Sequence, residues 1–342
     1  MTKVALCLLI ALIVGFALRP SVSAEGPVYY EGKTIRFVVG SAPGGGLDTY
    51  TRVIARHMGR HISGNPTIIV ENIPGAGSLI AANHLYKAAK PDGLSIGNFI
   101  GIGLLGQILG RPGIEFDARR FEYVGVPARF GSVCAFTKAS GITSMEQWMA
   151  AKRPVKMGST GPGGNIYEGA MILKTALNLP IQLISGYKSI GEIRLAAEAG
   201  EVDGICGVGW QSLKPTWKTA LDSGQVMVIL QMVPQPLSDL PHTPLAMNFA
   251  KTDEARQLIK VGIHDPGSYV FVYALPPATP KDRVELLRRA FQETLRDPEF
   301  IPDARKSNLE INPVPGDEVE DLILGLFKLN PAIVSKLQEI FK

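Results

Sequence analysis

The chain has 342 residues, with 35 Lys and Arg against 31 Asp and Glu and a formal charge of +4. Scattered basic residues without interleaved aromatics exclude a nucleic-acid-binding face, and the near-neutral balance gives no support for an anionic membrane surface as partner. The length exceeds what one hydrophobic core organises, so two domains are expected.

In chain order, Lys3, the apolar run Val4 to Leu18 and the small residues Val22-Ser23-Ala24 come first. They read as a secretory signal peptide over residues 1–24, cleaved after Ala24. An uncleaved anchor is the alternative, but the run falls short of the roughly 20 residues of a spanning helix. Cys7 lies inside the run, which disfavours a lipid attachment there. Removing 24 of 342 residues leaves 318, and removing Lys3 and Arg19 takes the formal charge from +4 to +2. No second stretch is long and apolar enough to span, so a soluble mature chain is expected. Cys134 and Cys206 then remain, in a compartment that permits a disulfide. Pairing and two buried thiols in neighbouring strands both stay open, and with no further ligand at suitable spacing a zinc site is not expected.

Thr34 to Gly40 (TIRFVVG) predicts a strand, Ser41 to Gly46 a glycine-rich turn, and Tyr50, Val53, Ile54, Met58 and Ile62 a helix by their spacing. A second unit follows: strand Thr67 to Glu71, turn Asn72 to Gly77, helix Ser78 to Ala89, stopped by Lys90-Pro91-Asp92-Gly93. Leu94 to Phe99 reads as the next strand. Strands alternating with helices predict a mainly parallel sheet covered on both faces.

The middle of the chain repeats this grammar. Thr143 and Glu146 have capping-box spacing. Strand Val155 to Gly158, turn Ser159 to Gly164 and a helix from about Asn165 to Leu177 follow, then strand Ile181 to Ile184, helix Ile190 to Ala199 and strand Asp203 to Val208. After the apolar run Val226 to Leu230, a proline-rich stretch from Pro234 to Pro244 suits a connection. Tyr269 to Ala274 predicts a buried strand, Thr279-Pro280 a helix start, and further helices begin near Glu318 and Pro331.

Ligands of open parallel sheets sit beyond the carboxyl ends of the strands. That selects the turns Ser41 to Asp48, Pro74 to Leu79, Ser159 to Asn165 and Gly207 to Gln211. Glycines let backbone amides approach a ligand, and a helix N-terminus carries partial positive charge, so each turn suits an anion. A single glycine turn also serves as plain chain reversal; one in each half of a two-lobed chain suggests a cleft gripped from both sides. Ser41 to Gly46 fits neither GxGxxG nor a phosphate loop. His57 and His61 lie four apart, but Met58 stands where a metalloprotease needs Glu, and they read as solvated or packing residues. Ser78 and Ser159 lack nucleophile-elbow context, and no carboxylate pair suggests acid and base roles. Asp48 and Arg52 predict a local helix pair, with Asp48 also placed to cap the helix start. No enzyme activity and no cofactor are expected.

These motifs resemble the extracytoplasmic receptors of tripartite tricarboxylate transporters, the Bug-type periplasmic binding proteins. The resemblance is carried by Val38-Val39 through Ala42-Pro43-Gly44-Gly45-Gly46-Leu47-Asp48 with Arg52, by Val70-Glu71-Asn72-Ile73-Pro74-Gly75-Ala76-Gly77, and by Pro91-Asp92-Gly93. Gly158-Ser159-Thr160-Gly161-Pro162-Gly163, Tyr187-Lys188 and Gly200-Glu201-Val202-Asp203 fall where that family has similar elements. The family has a periplasmic-binding-protein-like Venus-flytrap fold, two α/β lobes with a hinge. That implies lobe I from residues 25–124 and 231–342 and lobe II from residues 125–230.

The resemblance implies a periplasmic receptor, monomeric, that captures a small carboxylate by hinge closure and delivers it to the membrane components of a secondary transporter. A ligand-binding module serving a sensor kinase or another transporter class is the alternative, since both need the same clamshell. Carried over residue by residue, it implies ligand contacts from Ser41, Ala42, Gly44, Gly45 and Asp48, from Ala76, Gly77 and Ser78, and from Ser159, Thr160, Gly163 and Trp210. Trp210 reads equally as core or as a ring stacked on ligand. Departures from the family pattern fall mostly in the second lobe: Gly164 replaces a common Ser, Tyr167 a common His and Ser189 a common Gly, while Ser41 replaces an aromatic in the first. Those departures put the solute beyond its carboxylate in doubt.

Overall fold

The computed structural model describes residues 29–342 with the exception of Gly163. The expected signal peptide lies outside the described residues. Two α/β units stand side by side, each built on one sheet, as the Venus-flytrap expectation requires. The first sheet has the order β11-β4-β10-β3-β1-β2, with β1 Thr34–Val39, β2 Thr67–Asn72, β3 Ser95–Ile100, β4 Glu122–Val126, β10 Phe271–Leu275 and β11 Val314–Pro315. The second has the order β7-β6-β8-β5-β9, with β5 Ser132–Thr137, β6 Val155–Ser159, β7 Ile181–Ser185, β8 Gly204–Gly209 and β9 Val226–Gln231.

The sheets are mixed rather than wholly parallel, and the exceptions follow from the path of the chain. In the first sheet β10 runs against β3 and β4, and short β11 against β4; in the second β5 runs against β8 and β9. Of these, β10 and β5 each come first after the chain crosses between the sheets. Each therefore starts at the crossing end and must run opposite to strands that finish there. The crossings are residues 127–131, between β4 and β5, and the longer stretch between β9 and β10. They are tied together where the Phe130 amide donates to Gly267 O at 2.8 Å.

Sequence periodicity set most of the covering helices. Gly46–Met58 buries Leu47, Tyr50, Val53, Ile54 and Met58, and the last three join Phe37, Ile96 and Phe291 in the core on one face of the first sheet. A matching face of the second sheet is covered by a core around Ile193, Leu213 and Trp217. The opposite faces of both sheets share a single apolar cluster, running from Leu85, Phe99 and Leu104 to Met157, Leu173 and Trp148. The helix Asp253–Ile259 packs on Asn165–Ala176, and the C-terminal helix Pro331–Ile340 packs on both. Chain beyond residue 231 thus contributes to the core of the second unit as well as to the first.

Smaller expectations shift in detail. The cap near Thr143 moves one residue on: Ser144 Oγ accepts from the Gln147 amide, and the Gln147 side chain accepts from the Thr143 amide and hydroxyl. Cys134 and Cys206 face each other on β5 and β8 and are joined as a disulfide, both buried. Closing a loop over a separation of 72 residues lowers unfolded-state entropy by an amount worth about 4 kcal/mol. Among the described residues no helix is long and apolar enough to cross a membrane.

Candidate functional site

The turn after β1 is organised by one buried carboxylate. Asp48, 2% exposed, accepts from the Gly44 amide at 2.8 Å, from Arg52 Nε at 2.9 Å and from Asn72 Nδ2 at 2.8 Å. The same Asn72 amide nitrogen donates to Ser41 O at 2.9 Å, and Arg52 donates a second bond to Asn72 Oδ1. Burial alone would raise the Asp48 pKa, but the bonds from Arg52, Gly44 and Asn72 outweigh it and hold the group ionised. Asp48 therefore sits behind the turn, its oxygens spent on structure. Gly44 has φ +83°, and a side chain on Gly45 would press on Ala42 O and Ser41 Oγ at 3.3 Å. Gly44 is required by its left-handed backbone, and Gly45 by no more than tight packing.

The turn after β2 adopts four consecutive positive φ values: Gly75 at 132°, Ala76 at 46°, Gly77 at 61° and Ser78 at 75°. For Ala76 and Ser78 this left-handed backbone is costly, about 1 kcal/mol or more each. One identifiable restraint is Ser78, buried, whose Oγ donates to Gly40 O at 2.8 Å. A Cβ at Gly40 would lie 2.5 Å from Ser78 Cβ, so the two turns meet through a glycine. Ser41, Ala42, Gly44, Gly45, Asp48, Ala76, Gly77 and Ser78 are thereby brought into one assembly at the carboxyl ends of β1 and β2. Ala42, Gly44, Ala76 and Gly77 are exposed on it.

In the second unit Ser159 closes β6 and Thr160 begins the turn; Gly163 lies outside the described residues. Ser159 is fully buried, and its Oγ has no hydrogen-bond partner among the described residues, a costly arrangement for a hydroxyl. Gly164 is the N-cap of Asn165–Ala176 and offers no side-chain cap. Gly46–Met58 and Leu79–Lys87 likewise begin without one. By contrast Met145–Met149, Ile190–Glu198, Asp253–Ile259 and Pro331–Ile340 are capped by Ser144, Ser189, Thr252 and Asn330. Lys281–Arg296 and Gly316–Leu326 also lack a capping side chain, their N-caps being proline. Gly46–Met58 and Asn165–Ala176, each led by a glycine, thus leave first-turn amides without a side-chain cap, as do the shorter Ile102–Ile108 and Trp210–Thr216.

Trp210 stands apart from these turns. It is 9% exposed, packs in the second unit's core, and donates from Nε1 to Asp239 at 3.0 Å. It borders a cavity of about 2110 Å³ lined also by Arg129, Gln211, Lys214, Arg305 and Glu310. The other ten expected site residues that are described do not line that cavity.

Sequence reading passed over Asn72 as a structural partner of Asp48, and over the ion pair of Arg111 with buried Glu168 at 2.5 Å. Burial pushes the Glu168 carboxyl up while Arg111 draws it down. Asn72 carried a local signal, the end of a strand before a glycine turn; Arg111 and Glu168 carried none. His57 and His61 are paired with Asp303 at 3.0 Å and Asp297 at 2.7 Å. Among the described residues no group of three or more His, Cys, Asp or Glu is placed to hold a metal.

Several solved structures share this architecture. A TctC solute-binding protein from Polaromonas, without ligand, is 16% identical, with TM-score 0.72 over 91% of this chain and 98% of its own. MatC from Rhodopseudomonas palustris with bound malate is 18% identical, with TM-score 0.59 over 91% and 99%. A protein from R. palustris with adipate is 20% identical, with TM-score 0.59 over 90% and 98%. No curated protein matches by sequence. Residues 50–338 match the tripartite tricarboxylate transporter family receptor, TctC. Because that match spans most of the 342 residues, the chain belongs to the TctC family of receptors.

Proposed function

We propose that this chain is a periplasmic receptor that captures a small carboxylate between its lobes and delivers it to the membrane components of a tripartite tricarboxylate-type transporter, with no chemical step. The observation that carries the reading is the pairing of glycine-led, uncapped helix starts at the ends of β1 and β6. Exposed backbone amides at the positive end of a helix suit a carboxylate without an arginine clamp. The malate and adipate bound by two similar structures agree with that chemistry.

In this reading Ser41, Ala42, Ala76 and Gly77 hold the carboxylate through backbone amides and ordered water, while Gly44 and Gly45, whose own amides are bonded to Asp48 and to Ala42 O, shape the turn beside it. Asp48 and Ser78 act behind them, fixing the two turns. Direct ligand contact is unsuitable for Asp48, since it would set two carboxylates together. From the second lobe Ser159 and Thr160 close over the far end, with Ser159 Oγ gaining the partner it lacks, while Trp210 borders the separate cavity. Ligand on the first lobe favours the closed form, and the closed form docks on the membrane partner.

A thermal-shift screen of the mature protein against mono-, di- and tricarboxylates and aromatic acids tests the reading. At 100-fold its Kd a ligand stabilises the fold by about 2.7 kcal/mol. A melt raised by one or more acids is expected. Stabilisation by neutral solutes alone would overturn the carboxylate assignment. Co-purification with a membrane component tests the transporter assignment.

A further inference from the structure

The two flanks of the molecule are joined in different ways. On one, a continuous apolar cluster connects the sheets, and Pro331–Ile340 packs on second-unit helices while Gln338 Nε2 donates to Leu109 O at 3.2 Å. Arg111 adds its ion pair with Glu168 across the same side and lies over the Phe341 ring. On the other flank the apolar clusters of the two units are separate, and the cavity of about 2110 Å³ lies between their walls. Opening the first flank exposes core at about 25 cal/mol per Å² of apolar surface. The second flank carries no such continuous cluster between the units, so less buried apolar surface opposes its opening.

Among the described residues one hydrogen bond joins the 210–240 wall of that cavity to the 305–312 wall: Gln211 Nε2 donates to the Glu310 carboxylate. Glu310 is also tied to the ligand-facing helix of the first unit. Its backbone oxygen accepts from Tyr50 Oη at 2.9 Å, and the Tyr50 ring lies 5.2 Å from Phe271, which in turn borders Gly46. Gln211 follows Trp210, whose amide donates to Gly131 O in the first crossing at 2.7 Å. Glu310 thus touches, through one residue on each side, the helix behind the first-lobe turn and the second-lobe segment beside the crossing.

We propose that Glu310 is a positioning residue that couples the two lobes across the open flank and so sets how tightly the solute is held. Its effect on affinity rests on the carboxylate-receptor reading; its effect on lobe separation does not. Burial and the nearby Asp239 charge push the Glu310 carboxyl up, while Lys214, on the same wall, is spent on Asp239. The bond from the Gln211 amide is therefore the identifiable restraint on Glu310 from the second lobe.

The test uses the mature protein with Lys218→Cys and Arg305→Cys, on opposite walls of the cavity and spin-labelled for distance measurement; Cys134 and Cys206 are already joined. Without ligand, Glu310→Ala is expected to lengthen and broaden the inter-label distance. In the unlabelled protein it is expected to weaken carboxylate binding roughly tenfold. Exchanging the side chains, Gln211→Glu with Glu310→Gln, rebuilds the bond and is expected to restore both. An unchanged distance in Glu310→Ala would overturn the proposal, as would a change that the exchanged pair fails to reverse. If no carboxylate binds the parent protein, the receptor reading fails while the distance measurement still decides the coupling.

Discussion

The first-lobe turn is held by a buried carboxylate whose oxygens bond Gly44, Arg52 and Asn72, whereas the second-lobe turn follows a buried serine whose hydroxyl bonds nothing among the described residues. A turn braced in this way presents its backbone amides in one arrangement and reads the feature common to all ligands of the class. A turn whose polar group waits for a partner has its geometry completed by the ligand. Under the proposed function the first region would serve affinity for a carboxylate, and the second discrimination among carboxylates. The departures from the family pattern at Gly164 and Tyr167 fall in the second region.

The sharpest way to break this contrast is to remove the brace. Asp48→Ala leaves Arg52 and the Asn72 amide without their shared acceptor, and is expected to cost about 2–3 kcal/mol of stability in urea unfolding together with most of the carboxylate affinity. The pH dependence has a definite sign. Because the folded-state pKa of Asp48 is lowered, its contribution is complete above the ordinary carboxylate range and is lost as pH falls through that range toward the lowered value. Denaturant midpoints in the parent should fall on acidification more than those of Asp48→Ala. Equal slopes would mean that Asp48 contributes no brace.

A smaller effect sharpens the other half of the comparison. Ser159→Ala removes a buried hydroxyl that lacks a partner in the free protein, so stability should be unchanged or slightly raised, within about 1 kcal/mol. Calorimetric titration with an acid found by the thermal screen should show affinity reduced about tenfold, and unequally among different acids. Loss of stability without loss of affinity would place Ser159 in the core alone.

Local pattern explains what was legible. The unit from β1 through Gly46–Met58 carries its own strand alternation, its own turn glycines and its own helical stripe, and the Asp48–Arg52 pair lies within one helix turn. Strands β4 and β5 are buried at every position, so alternation gives no signal, and β11, with two residues, is too short to show one. The reversal of β5 and β10 depends on where the chain crosses, which no residue pattern records. His57 and His61 were read as solvated or packing residues; their partners arrive from 246 and 236 positions away. The cysteines, left open between pairing and free thiols, needed the register of β5 against β8 to bring them opposite one another. The turns were visible, but the fact that Asp48 and Ser78 are spent behind them was not, because it depends on contacts with Asn72 and Gly40.

The most direct test of the central claim is hydrogen exchange of the mature protein with and without a stabilising carboxylate. The account predicts that the amides of residues 41–49, 75–80 and 159–166 become protected on binding, the first two sets most strongly. Protection confined to the cavity walls, residues 210–240 and 305–312, with the glycine turns unchanged, would contradict it.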